Sequence, residues 1–444
     1  MTKVVFVGDF DCGKSTLIGR LIFDTNSISK ETREEFQKIS EESGKTEEFS
    51  YLLDSFEEER RNELTIDTTQ AFLKCKDREY LLIDVPGHKE LLKNMLTGAS
   101  YADFAIVICD VEKPLEEQLR RHIFVLKFLG INQFILAINK MDRVDFTEKA
   151  FENTVSKILE FSGKIDMQAE SIIPISAKEG DNLLVKSRKM NWYHGPLLLE
   201  AIDSFRITEN NAGDFRFPVQ DVYQNNGEQV IVGTIVSGEI RRGDKIKIAL
   251  SGLEYKVNNI MVFGKNKSYA TAKESIGLQL DINPNFALPA CNGQAKFARR
   301  ADRLNPNGFN RARRGNPDRI SFAKFGIKER LRRGQVIYKG RPPQITTKFS
   351  AKIFCILPIS EQNEFILRCN TQALSCVITQ VKVAIDTATL ESIPCPKVLK
   401  ETNAAEVVIE TYEPLVIERF REISALGRFI LSRSEQVFAC GIIL

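Results

Sequence analysis

Four polar motifs in the first 180 residues each begin where an apolar run stops, and that coincidence limits the fold more than any other feature. The runs Lys3 to Val7, Tyr80 to Ile83, Phe104 to Cys109, Gln133 to Ile138 and Ile172 to Ile175 read as strands, with helical patterns between them. Such alternation predicts βα units around a mainly parallel sheet, whose ligands bind beyond the carboxyl ends of the strands. Gly8-Asp9-Phe10-Asp11-Cys12-Gly13-Lys14-Ser15, Asp84-Val85-Pro86-Gly87-His88, Asn139-Lys140-Met141-Asp142 and Ser176-Ala177-Lys178 all fall at those ends. Thr65 lies in a connecting loop.

Each motif suits a different part of one ligand. Gly8-x-x-x-x-Gly13-Lys14-Ser15 follows a strand and precedes the helical run opening at Thr16, the context a phosphate-binding loop requires. Its glycines let backbone N–H groups turn inward around phosphate oxygens at the positive end of a helix. Lys14 is expected to reach the β- and γ-phosphates, and Ser15 to ligate Mg2+, with Asp84 holding the ion less directly. The Gly87 N–H can sense the γ-phosphate. His88 stands where a side chain would orient an attacking water, and Thr65 suits a loop that orders around γ-phosphate and magnesium. The candidate catalytic residues are therefore Lys14, Thr65 and His88.

The last two motifs address the base. A carboxylate at Asp142 can accept from both N1–H and the 2-amino group of guanine, a pair of donors that adenine lacks. The Lys140 stem can cover the base, and Ser176-Ala177-Lys178 can close its other side. The expected ligands are GTP and GDP with Mg2+. Cys12 is expected to be an inert thiol, Trp192 a packing residue and His122 an ordinary helix residue.

Composition excludes little. The 444 residues are 43% hydrophobic, enough for several cores, and 62 Lys plus Arg nearly balance 59 Asp plus Glu. No apolar run approaches the roughly 18 residues that span a bilayer. The start runs straight into a strand, leaving no room for a secretion signal. Nine cysteines without a C-x-x-C pair read as thiols in a reducing cytoplasm. Three histidines make a histidine-rich metal site improbable.

Beyond about Phe205 short β-rich runs and turns take over, as in Phe217 to Tyr223, Gln229 to Ser237, Asp244 to Ala249 and Glu254 to Phe263. The fold expected is an α/β P-loop GTPase domain over 1–208, then two small β-barrels over 209–342 and 343–444. A basic insertion near 282–330 interrupts the first barrel; from Lys296 to Arg333 there are 13 Lys/Arg and 3 Asp/Glu. Interleaved Phe297, Phe309, Phe322 and Phe325 allow a nucleic-acid surface. A solvated or partner-ordered loop is the preferred reading.

These motifs resemble the translation-factor class of P-loop GTPases, which is elongation factor Tu-like. Within it, Gly13 to Ile28, Asp84 to His88, Asn94 to Ser100, Gln118 to His122, Ser176 to Asn182 and Trp192 to Glu200 look like the large, GTP-binding subunit of bacterial sulfate adenylyltransferase. Phe217 to Val222 and Ile235 to Asp244 carry the likeness into the first barrel. The resemblance implies a separate small subunit that makes adenylylsulfate from ATP and sulfate, while GTP hydrolysis on this chain drives the step. It also implies that Asp11 helps to coordinate a monovalent cation near the phosphates. The chain has no second P-loop and no Ser-Gly-Gly-x-Asp-Ser or His-x-Gly-His motif, so adenylyl transfer would belong to the partner. Glu63 stands where the family usually has glycine, Val85 replaces the usual Thr, and the insertion is foreign to the family. The alternatives are a translation-type GTPase that binds RNA or the ribosome, and a regulatory GTPase for another metabolic enzyme.

Overall fold

The structure is a computed structural model. It describes residues 2–34, 36, 49, 52, 69–75, 78–85, 102–205, 213–225, 228–262, 265–281, 331–360, 363–394, 396–434 and 436–444. Thr65, Pro86, Gly87, His88, Glu63, Asn94 to Ser100 and the basic insertion at 282–330 lie outside the described residues. The chain divides into two compact units, the first comprising Met1–Thr208 with Ala384–Ile393 and Lys400–Ala404.

In the first unit a six-stranded sheet runs in the order β2-β3-β1-β4-β5-β6. The strands are β1 (Thr2–Gly8), β2 (Thr69–Cys75), β3 (Arg78–Asp84), β4 (Phe104–Asp110), β5 (Gln133–Asn139) and β6 (Gln168–Pro174). All neighbours are parallel except β2, which runs antiparallel to β3 at the edge. The sequence suggests no strand between the loop at Thr65 and the run from Tyr80, where β2 lies. Its pattern has Ala71, Leu73 and Cys75 buried, with Phe72 and Lys74 exposed. That one-sided alternation fits a strand with one covered face, whereas the central β4 is buried at every position.

Helices α1 (Lys14–Asp24), α2 (Glu117–Phe128), α3 (Glu148–Lys164) and α4 (Leu198–Ser204) accompany this sheet. Leu17, Ile18, Leu21 and Ile22 of α1 share a core cluster with Val4, Phe6, Ile106 and Ile108. That packing holds the start of α1 over the end of β1.

The second unit holds two closed barrels. In the first, the order β10-β15-β7-β8-β14-β11 is closed by β10 pairing with β11. Its members include β7 (Phe215–Asn225), β8 (Glu228–Thr234), β10 (Lys245–Ile248), β11 (Glu254–Val262), β14 (Ser275–Asp281) and β15 (Val336–Lys339). The second barrel comprises β16 (Gln344–Cys355), β18 (Glu364–Cys369), β19 (Gln372–Asp386), β22 (Asn403–Ile417), β23 (Arg428–Arg433) and β24 (Gln436–Ile443), in the order β18-β23-β24-β16-β22-β19 and closed by β18 pairing with β19. An apolar cluster of Ala249, Val336, Val416, Ile423 and Leu426 joins the two.

Beside that cluster Arg216 is fully buried. Its Nε donates to Glu418 Oε1 at 2.7 Å, while Nη1 and Nη2 donate to the carbonyls of Phe215 and Arg341 at 3.1 and 2.7 Å. Arg341 reaches the other Glu418 oxygen at 3.3 Å.

Candidate nucleotide site

The loop between β1 and α1 is shaped by two glycines for different reasons. Gly13 has φ 89°, a left-handed conformation that favours glycine, and a Cβ there would lie 2.4 Å from Asn139 Nδ2. A Cβ on Gly8 would strike the Ile108 carbonyl oxygen at 2.4 Å and Cys12 Sγ at 2.7 Å. Asp11 is also left-handed, at φ 59°. Gly13 caps α1, whose first turn carries no acidic side chain, so the positive end of the helix faces the loop uncompensated.

Lys14 is buried, and its Nζ donates to the carbonyls of Gly8 and Asp9 at 2.8 and 2.7 Å. Among the described residues no carboxylate lies within ion-pair distance of it. A cation held by two carbonyls of its own loop, with Cys12 Sγ at 3.8 Å, is well suited to phosphate oxygens. Ser15 Oγ donates to Asp84 Oδ2 at 3.0 Å, so a hydroxyl and a carboxylate stand together at the loop's end. Hard oxygen donors beside a phosphate cradle fit Mg2+. Phe10 is exposed, Thr16 half-buried, and Val85 buried with its N–H donating to Phe6 O at 3.4 Å.

Asn139 is the joint of the rim. Its Nδ2 donates to Cys12 O at 2.9 Å, and its Oδ1 accepts from Ala177 N at 2.9 Å, so one side chain ties the phosphate loop to the base loop. Asp142 sits in the 3-10 turn Met141–Val144 and accepts from Ser176 Oγ at 2.6 Å. That hydroxyl fixes one carboxylate oxygen and thereby orients the group. Ser176, Ala177 and Met141 are buried and Lys178 is exposed. Its carbonyl accepts from Arg20 Nη1 of α1 at 3.0 Å, a tie the sequence did not suggest.

Lys140 has φ 65°. Its Nζ lies 2.9 Å from Asp110 Oδ2 and 3.5 Å from Asp11 Oδ2. The sequence reading missed Asp110. The available signal was a carboxylate ending an all-apolar strand that pairs in register with Asn139.

Burial pushes the Cys12 thiol up to about 11, so it is protonated at neutral pH. Burial also pushes the Asp9 carboxyl up to about 6, helped by Glu116 and opposed by Lys14 and Lys113. His122 lies within α2, as expected of a helix residue, on its buried side. It is 2% exposed, and burial followed by the charge of Lys14 pushes its imidazole down to about 3. Trp192 packs near Phe151 and donates from Nε1 to Phe146 O at 2.9 Å.

Comparison with known proteins fits this geometry. The pattern described as "Elongation factor Tu GTP binding domain" matches residues 1–207, and "GTP-eEF1A C-terminal domain-like" matches 348–444. Elongation factor 1-alpha of Archaeoglobus fulgidus is 34% identical, covering 100% of this chain and 97% of its own. The chain belongs to the elongation factor Tu and 1-alpha family of GTPases. Elongation factor 1-alpha of Methanocella arvoryzae is similar at 31% identity, over 100% and 97% of the two chains. Sulfate adenylyltransferase subunit 1 of Bacteroides fragilis is 30% identical over 97% of this chain and 83% of its own. Members of this family bind GTP and GDP with Mg2+. No helix among the described residues is long and apolar enough to cross a membrane.

Proposed function

We propose that this chain is a translation-type GTP hydrolase whose bound nucleotide decides its affinity for an RNA or ribosomal partner. The observation carrying this reading is likeness to elongation factor 1-alpha over the whole chain and nearly the whole relative, barrels included. In this reading Lys14 exchanges the carbonyls of Gly8 and Asp9 for the β- and γ-phosphates. Asp142, oriented by Ser176, accepts from the guanine edge, and Lys140 covers the base. Ser15 and Asp84 hold Mg2+, which supplies charge neutralisation at the phosphates when bound. Thr65 and His88 keep the roles the sequence suggests, ordering the γ-phosphate loop and orienting water. The test is hydrolysis of GTP by the full chain with and without ribosomes. Turnover unchanged by ribosomes overturns the proposal.

A second reading makes the chain the GTPase subunit that drives adenylylsulfate formation by a small adenylyltransferase subunit. It is favoured by the likeness to sulfate adenylyltransferase subunit 1 and by the run Trp192 to Glu200. Reconstitution with such a subunit should give adenylylsulfate in a GTP-dependent manner; formation indifferent to GTP removes this reading.

A further inference from the structure

Lys140 carries two features that a lysine does not adopt by default. Its backbone is left-handed, a conformation that costs a side-chain-bearing residue on the order of 1 kcal/mol and persists only where the surroundings impose it. Its ammonium is nearly buried, the side chain being 12% exposed. Asp110, 6% exposed, faces it at 2.9 Å, and Asp11 of the phosphate loop reaches it from the other side at 3.5 Å. The two carboxylates come from the end of β4 and from the loop after β1. The lysine comes from the end of β5, so one ammonium bridges three strand ends.

The two oxygens of Asp110 have separate tasks. Oδ1 accepts the Glu112 N–H at 3.0 Å and shapes the turn after β4, while Oδ2 faces Lys140. Removing only the charge therefore leaves the turn its acceptor.

We propose that Asp110 is a positioning residue of the nucleotide site, which acts through Lys140 and with Asp11 to set how long a guanine nucleotide stays bound. This rests on the guanine-nucleotide reading of the site. Fixed between two carboxylates, the lysine stem is held in one place over the base. With either carboxylate neutralised, the stem samples other rotamers and the base leaves faster. Both GDP and GTP are affected alike, because the base that the lysine stem covers is common to the two.

The test is a double-mutant cycle on the full chain, read as the dissociation rate of a fluorescent GDP analogue. Asp110→Asn should raise that rate about tenfold with Lys140 present and less than about twofold in a Lys140→Met background. Asp11→Asn, at an exposed position, should raise it about threefold with Lys140 and leave it unchanged without. A residue that merely supports the fold would shift the rate equally in both backgrounds. Equal shifts, or no shift from either substitution, overturn the proposal; if Asp110→Asn does not fold, the Asp11 cycle decides. Should the unaltered chain bind no guanine nucleotide, the site reading itself fails, a result separate from these.

Discussion

Two buried cations in this molecule are held in opposite ways. Lys14 in the first unit is 7% exposed and relies on two carbonyls of its own loop. Arg216 in the second is fully buried and is closed by a carboxylate and two carbonyls, its guanidinium fork matched on every side. The lysine has acceptors it can exchange; the arginine has none to spare. An ammonium without a fixed counter-charge marks a ligand site, and a guanidinium with one marks a joint between packed elements.

Substitution should separate the two. Lys14→Ala is expected to abolish nucleotide binding, a loss on the order of a hundredfold or more, while changing the unfolding free energy by less than about 2 kcal/mol. Arg216→Met should do the reverse to stability, costing about 3–5 kcal/mol because Glu418 is left buried without its main partner. Denaturant titration beside calorimetry with GDP gives both numbers for each variant. Adding Glu418→Leu to Arg216→Met should recover most of the lost stability, since a buried pair replaced as a pair is often neutral. If Lys14→Ala unfolds the chain as readily as Arg216→Met, the contrast is wrong.

A smaller effect is expected at the base. Asp142→Asn removes the charge that accepts from guanine but keeps an acceptor for Ser176. Guanine preference over adenine should fall by about ten- to a hundredfold, with phosphate contacts intact. Competition between GDP and ADP measures it directly. Preference retained at its full value would take Asp142 out of base selection.

The phosphate loop and its strand were legible because they are local: glycine, lysine and serine spacing reports a turn that a few residues complete. The two barrels were legible as texture, short strands between turns. The edge strand β2 was not, because only one of its faces is covered and its polar residues read as loop. His122 hid in plain view: Leu119, Ile123 and Leu126 make a helical apolar stripe, and position 122 falls inside it. Arg216 carries no local signal, and the one that Asp110 carries, a carboxylate ending an apolar strand, does not name its partner. Each is defined by a partner distant in the chain, Glu418 in one case and Lys140 in the other, and only the folded registers bring them together.

The weakest expected effect concerns protons at the phosphate loop. Asp9 titrates at about 6 in the folded chain, chiefly through burial, against roughly 3.9 when unfolded. Between these values the folded state keeps a proton that the unfolded state has released. Stability from this group is therefore full below about pH 4 and is lost as pH rises through about 6. Asp9→Asn should remove that part of the slope, so the difference in urea midpoint between the unaltered chain and the variant should change from about pH 4 to about pH 6.5. A constant difference would show that Asp9 titrates at its ordinary value. The same carboxyl should also respond to ligand, because a phosphate beside this loop adds negative charge and favours its protonated form. Near pH 6 the unaltered chain should then take up protons on binding GDP, seen as a binding heat that changes with the ionisation enthalpy of the buffer, and Asp9→Asn should show less of that change.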